Sequence, residues 1–150
     1  MKKIITSLIL ILTIMSTQGQ ANDHAVIAEK AFAAWQEGEK TGNYTNFKVF
    51  LQSDFKEFSH PLLGSYTGEA ARIKFLELIA QREITKNQLD FTDVKVISNE
   101  NHFVFAFNSS GSVAGGYKYQ GFNAVLLTVE KHKLTGFREY FGLIDPSWFK

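Results

Sequence analysis

No cysteine occurs anywhere in the 150 residues, which rules out a disulfide framework, a thiolate metal site and a thiol nucleophile. In an oxidising compartment packing alone would have to hold the fold. Proline is nearly absent, with only Pro61 and Pro146, so few positions force the chain to break. An excess of one charge is missing too: 16 Lys and Arg stand against 15 Asp and Glu. Such a balance argues against nucleic acid or an anionic membrane surface as a partner. No phosphate loop or dinucleotide fingerprint is present, and Gly111 to Gly116 reads only as a soft tip. His24, His102 and His132 are isolated, without the spacing of a metal site, so neither a metal centre nor a cofactor is expected. Ser109 and Ser110 lack the nucleophile-elbow pattern that covalent serine chemistry uses.

What is present begins with a leader. Lys2 and Lys3 precede an apolar run from Ile4 to Met15, and Gly19-Gln20-Ala21 supplies small residues for cleavage. These are the three parts of a secretory signal, and the run is short of the roughly 20 residues a spanning helix needs. The expectation is cleavage after about residue 21 and a home outside the cytoplasm, periplasmic or secreted, with no stable membrane anchor afterwards. No cysteine follows the run, so no lipid is attached there. Residues 22–150 are then one domain, large enough for a core, and loss of two lysines takes the formal charge from +1 to −1. A small cysteine-free exported domain fits a bacterial periplasm best.

Along that domain, Asn22 to Gly38 reads as a helix with Ile27, Ala31, Ala34 and Trp35 at helical spacing, capped by Asn22 or Asp23 and stopped by Gly38. A second helix is predicted over about Tyr44–Leu51, capped by Asn43. Phe55–His60 reads as a strand ended by Pro61, and Leu62–Tyr66 as a loop. Thr67 caps a third helix, about Glu69–Gln81, whose apolar face is Ile73, Leu76 and Ile79, widened by Phe75 and Leu78. Leu89–Ile97 suggests a strand with a local irregularity, turned at Asn99-Glu100-Asn101. Phe103, Phe105 and Phe107 alternate on one side of the next strand, and 108–116 reads as a flexible loop or hairpin tip. A last hairpin, Tyr117–Val129 and Lys133–Gly142, turns at Glu130-Lys131-His132. Helices followed by strands predict an α+β domain with a mostly antiparallel sheet. Such a sheet becomes compact with three helices only by curling around one, which leaves a conical hollow.

Four segments carry a resemblance. They are Ala33–Glu39 at the end of the first helix, Ser53–Gly64 with its proline-marked strand exit, Tyr66–Phe75 opening the third helix, and Lys133–Gly142 as closing strand. In this order and spacing they resemble the nuclear transport factor 2-like superfamily, in particular its ketosteroid isomerase and SnoaL-like branches. The resemblance covers nearly all of the mature chain. It implies a cone-shaped, curved, mixed and mostly antiparallel sheet wrapped on three helices, a cystatin-like α+β barrel often found as a homodimer. Function does not follow from that fold. In ketosteroid isomerases the residue before the strand-ending proline is a proton-shuttling carboxylate, and here it is His60. Their tyrosine oxyanion donor falls on Ala31, which has no donor, and their protonated aspartate falls near Val125 or Asn123. Loss of such donors costs several kcal/mol of transition-state stabilisation, so authentic isomerase activity is not expected.

His60 shares a strand face with Phe58, and Glu139 with Phe137 and Phe141. By the resemblance both faces look into the cone. A carboxylate between phenylalanines needs a partner, and His60 is the candidate. The pair is the expected acid/base constellation. Its bland counterparts are a histidine bonded to a backbone carbonyl, and a glutamate paired with a cation at a dimer face. Arg138 and Tyr140 should take the opposite, structural face. Trp35, Phe58, Tyr66, Phe75, Phe105, Asn123, Phe137 and Phe141 are the candidate ligand-lining residues, with ordinary core as the alternative for the aromatics. Trp148 and Phe149 are candidates for a lid or for packing on a partner. The expected function is binding of a small apolar or amphipathic molecule in the conical pocket. A cofactor-free isomerase, cyclase or dehydratase using His60 and Glu139, or a plain dimerisation module, stay open.

Overall fold

A computed structural model describes residues 23–51 and 53–142; the leader, Trp148 and Phe149 lie outside the described residues. Helix α1 runs over 23–41, α2 over Thr45–Lys48 and α3 over Gly68–Thr85. The strands are β1 (Glu57–His60), β2 (Gly64–Thr67), β3 (Gln88–Asn99), β4 (His102–Val113), β5 (Tyr117–Glu130) and β6 (Lys133–Phe141). They form one curved six-stranded sheet in the order β2-β1-β6-β5-β4-β3. Every pairing is antiparallel except β1 with β6, which sets Phe58 beside Phe137. The domain is α+β, with α1 and α3 on the concave face of the sheet.

Alternation sorts the sheet residues. Phe103, Phe105 and Phe107 of β4 and Val125 and Leu127 of β5 are buried on the concave face. Phe32 of α1 stacks on Phe105 with ring centroids 4.2 Å apart. Trp35, Phe75 and Phe137 pack ring against ring at 4.4–6.0 Å, joined by Phe47 and Phe58. This aromatic cluster fills the apex of the cone.

Several local expectations needed correction. Helix α1 does not stop at Gly38 but continues to residue 41. Gly38 serves packing instead: a Cβ there would lie 2.4 Å from the Tyr44 ring. The second helix is a single turn, and Asn43 does not cap it as its N-cap; its Oδ1 accepts the Thr45 N–H at 3.0 Å from one position earlier. Thr67 does hold the N-cap position of α3, but its side chain makes no cap bond. The face of α3 is rotated from the expected one: Ala71, Phe75, Ile79 and Arg82 are buried, while Ile73 is exposed. Gly64 to Thr67 is a strand and not a loop, because the turn after His60 reverses the chain through Gly64 at φ 90° and lays Tyr66 beside Phe58. The expected soft tip at 108–116 is mostly sheet, with β4 running to Val113 and only 114–116 turning. The irregularity in β3 is a bulge between Thr92 and Lys95. Lys131 and His132 both take left-handed φ in the β5–β6 turn, the geometry a tight two-residue hairpin requires.

Candidate functional site

β1 and β6 run parallel, with Phe58 opposite Phe137. Two residues further on each strand, on the same face, stand His60 and Glu139. Their Nε2 and Oε2 atoms are 3.8 Å apart, beyond a hydrogen bond but within ion-pair range, and the side chains are 5% and 13% exposed. Nδ1 of His60 accepts the Leu62 N–H at 3.2 Å. A neutral ring therefore carries its proton on Nε2, facing Glu139. Burial and the nearby Arg82 pull His60 down from 6.5 to about 4, so the ring is neutral at pH 7.

The principal partner of Glu139 is not His60 but Arg82, which reaches in from the last turn of α3. Nη2 donates to Glu139 Oε2 at 2.9 Å. Nη1 donates to Oε1 of Glu39, a buried carboxylate near the end of α1. The guanidinium lies 5.0 Å over the Trp35 ring. Glu39 also accepts the Tyr44 hydroxyl at 2.8 Å and Asn87 Nδ2 at 2.7 Å, and Asn87 Oδ1 accepts the Ala114 N–H at 3.2 Å. One guanidinium thus serves two buried carboxylates. Burial works against the charge of Arg82, yet Glu139 and Glu39 outweigh it and hold the group above its usual value. Burial raises Glu139 above the usual carboxylate range, Arg82 opposes the rise, and Glu39 adds to it. Tyr44 is raised by burial and by Glu39.

A second polar group stands beside the first. Asn123 of β5 pairs in register with Phe141, and its neighbour on that face, Val125, pairs with Glu139. Tyr119 donates to Asn123 Oδ1 at 2.6 Å, and Asn123 Nδ2 donates to Ser109 Oγ. The lone amide in an apolar strand is therefore satisfied on both sides.

The candidate residues divide by depth. Trp35, Phe58, Phe75, Phe105 and Phe137 are nearly or fully buried in the aromatic apex. His60, Glu139, Asn123 and Phe141 come together at the wide end of the cone. The Phe141 ring meets the His60 ring edge-on at 5.3 Å. Tyr66 stacks on Phe58 at 6.2 Å and ties its hydroxyl to the Leu63 carbonyl at 2.8 Å, within the turn beside this mouth. Leu62 and Leu63 stand exposed on that turn. Two surface clefts lie elsewhere, one beside Lys40 and Phe91 and one beside Lys56 and Arg72. Of the places where the resemblance puts isomerase donors, Ala31 and Val125 are fully buried without a side-chain donor, and the alternative to Val125, Asn123, spends its amide on Ser109. Arg138 lies on the convex face and pairs with Glu57 at 2.7 Å.

Sequence reasoning missed Glu39 and Arg82. A signal existed: Ala28, Phe32, Trp35 and Glu39 continue one stripe of α1, and Ala71, Phe75, Ile79 and Arg82 one stripe of α3. Each stripe ends on a charged residue of opposite sign, which the apolar residues alone do not reveal.

No family model matches the chain, and no curated protein sequence does. Solved structures match throughout the domain. A nuclear transport factor 2-like protein of Anabaena variabilis is 26% identical, with 83% of this chain and 92% of that one covered at a TM-score of 0.68. A proposed polyketide cyclase of Xanthomonas campestris pv. campestris is 14% identical, covering 86% and 96% at 0.64. A protein of Catenulispora acidiphila with a ketosteroid isomerase-like fold, in complex with trimethylamine, is 17% identical, covering 76% and 86% at 0.59. The chain has the nuclear transport factor 2-like fold.

Proposed function

We propose that this protein binds a small amphipathic molecule at the mouth of its cone, with the apolar body against Phe141, Leu62 and Leu63 and polar groups on Glu139, His60 and Asn123. The observation that carries this reading is a polar cluster built into an aromatic wall and nearly closed to solvent, in which Glu139 keeps 13% exposure and Arg82 11%. Burying two carboxylates and a guanidinium is costly, and a plain packing role would be met by apolar residues of the same volume. The packed aromatic apex limits the guest to the mouth. Binding is favoured over acid/base catalysis for two reasons. His60, pulled to about 4, is a weak base at neutral pH, and the Glu139 carboxylate is engaged by Arg82.

Native mass spectrometry of the gently purified protein tests this, followed by titration with the neutral fluorescent probe N-phenylnaphthylamine. A co-purifying adduct, or saturable probe binding weakened by Leu62→Ser with Leu63→Ser, is expected. An adduct-free mass together with no saturable probe binding refutes the reading. Export rests on the leader: N-terminal sequencing of the mature protein should begin near residue 22, and an unprocessed Met1 would overturn it.

A homodimer is favoured by the convex face. Among the described residues no helix covers it, and Phe122, Tyr140 and Ile97 are exposed there around Leu126, Val104, Ala124 and Ala106. Its polar members carry both signs, Arg138 and Lys95 against Glu57, so the face is complementary to a second copy of itself. Sedimentation equilibrium should give a dimer that Phe122→Lys dissociates; a monomeric parent protein would exclude it.

A further inference from the structure

The charges in the mouth cluster do not balance. Glu39 and Glu139 are two carboxylates, and among the described residues Arg82 is the one cation that both contact. The groups packed around them do not make up the difference. His60 of β1 is neutral, Tyr44 beside α2 donates a neutral hydroxyl to Glu39, Asn87 before β3 donates an amide, and Tyr119 of β5 donates its hydroxyl to Asn123. The two carboxylates differ in how completely they are served. Glu39 uses both oxygens, Oε1 for Tyr44 and Arg82 and Oε2 for Asn87. In Glu139 only Oε2 is engaged, and among the described residues Oε1 has no donor. The imperfectly served carboxylate is also the more exposed, at 13% against 2%. The free oxygen therefore belongs to the group at the rim. Its surroundings are aromatic: the His60 ring stands between Phe141 at 5.3 Å and Phe58 at 6.3 Å.

Resting on the binding reading above, we infer that the guest is an organic cation, an amine or quaternary ammonium on an apolar body, whose charge is met by Glu139 beside the partly exposed Phe141 ring. A cation supplies the missing positive charge where Coulomb attraction is strengthened by burial, and aromatic faces attract it further. A neutral guest leaves the imbalance as it stands, and an anion increases it.

Isothermal titration calorimetry on the full protein separates these cases with three probes: protonated benzylamine, benzyltrimethylammonium and uncharged benzyl alcohol. The two cations should bind one per chain and at least tenfold tighter than the alcohol. Glu139→Gln should remove that tenfold preference by weakening both cations at least tenfold. This variant keeps a balanced Glu39–Arg82 pair and should stay folded; Glu139→Asp, which draws the carboxylate back from the rim, gives an independent readout and should lower the preference partially. Equal or tighter binding of benzyl alcohol, or cation binding indifferent to both variants, overturns the cation assignment while leaving a binding site in place. Failure of all three probes also overturns it; the binding reading falls as well only if the native mass is adduct-free and N-phenylnaphthylamine shows no saturable binding.

Discussion

Replacing Arg82 by Met tests the physical basis of the whole site. The guanidinium is the cation contacted by both Glu39 and Glu139, whose side chains are 2% and 13% exposed. Methionine fills much of the same volume and keeps contact with Trp35, so the main loss is charge compensation. Removing one partner of a buried ion pair costs about 3–5 kcal/mol, because the charge left behind has neither water nor counter-ion. For a domain of this size that corresponds to a fall in Tm of roughly 10–20 °C. The sign of the pH dependence follows. Burial already raises Glu139 and Arg82 opposes the rise, so without Arg82 its folded-state value lies further above the unfolded one and the folded state takes up that proton first as pH falls. The deficit of the variant should therefore shrink as pH is lowered from 7 towards 5. Urea unfolding followed by circular dichroism at pH 7, 6 and 5 measures it, and Arg82→Met combined with Glu139→Gln should recover part of the loss. A cost below about 1 kcal/mol at pH 7, or a deficit that does not change with pH, would show that the cluster is not the buried, charge-coupled unit described above.

Three further outcomes are expected. His60 has a folded-state value of about 4 against 6.5, so the unfolded chain takes up its proton first and stability falls as pH drops through 6.5. The resulting loss of about 1–2 kcal/mol between pH 6.5 and 5 should be absent in His60→Gln, and parallel pH profiles would contradict it. Phe137→Ala opens a cavity against Trp35, Phe47 and Phe75 and should cost about 3–5 kcal/mol in urea unfolding; a loss under about 1 kcal/mol would mean that the cone apex is loosely packed. Gly38→Ala drives a methyl into the Tyr44 ring and should destabilise by about 1–3 kcal/mol despite alanine's better helix propensity. A stabilised variant would place Tyr44 elsewhere.

Much of the architecture was legible in the sequence because its signals are local and periodic. Strict alternation of Phe103, Phe105 and Phe107 defines a strand with one buried face, and the same parity puts Phe58 with His60 and Phe137 with Glu139. The pairing of β1 with β6 brings the two polar residues to adjacent strands of that face, at 3.8 Å. Shorter features were harder. The four-residue β2 has no periodicity to read, and it exists because the turn after His60 returns Tyr66 to Phe58. Gly38 looked like a helix stop because glycine ends helices in general; only the approach of the Tyr44 ring reveals its packing role.

What the sequence determined by itself is the order of the longer elements, the faces of the long strands and the aromatic character of the interior, since each follows from spacing along one segment. Tertiary structure alone decided which charges meet. Arg82 lies 43 residues from Glu39 and 57 from Glu139, and no local pattern links them. Their union depends on α1, α3 and β6 converging on one point of the cone, where low dielectric makes an isolated charge costly and a shared guanidinium indispensable.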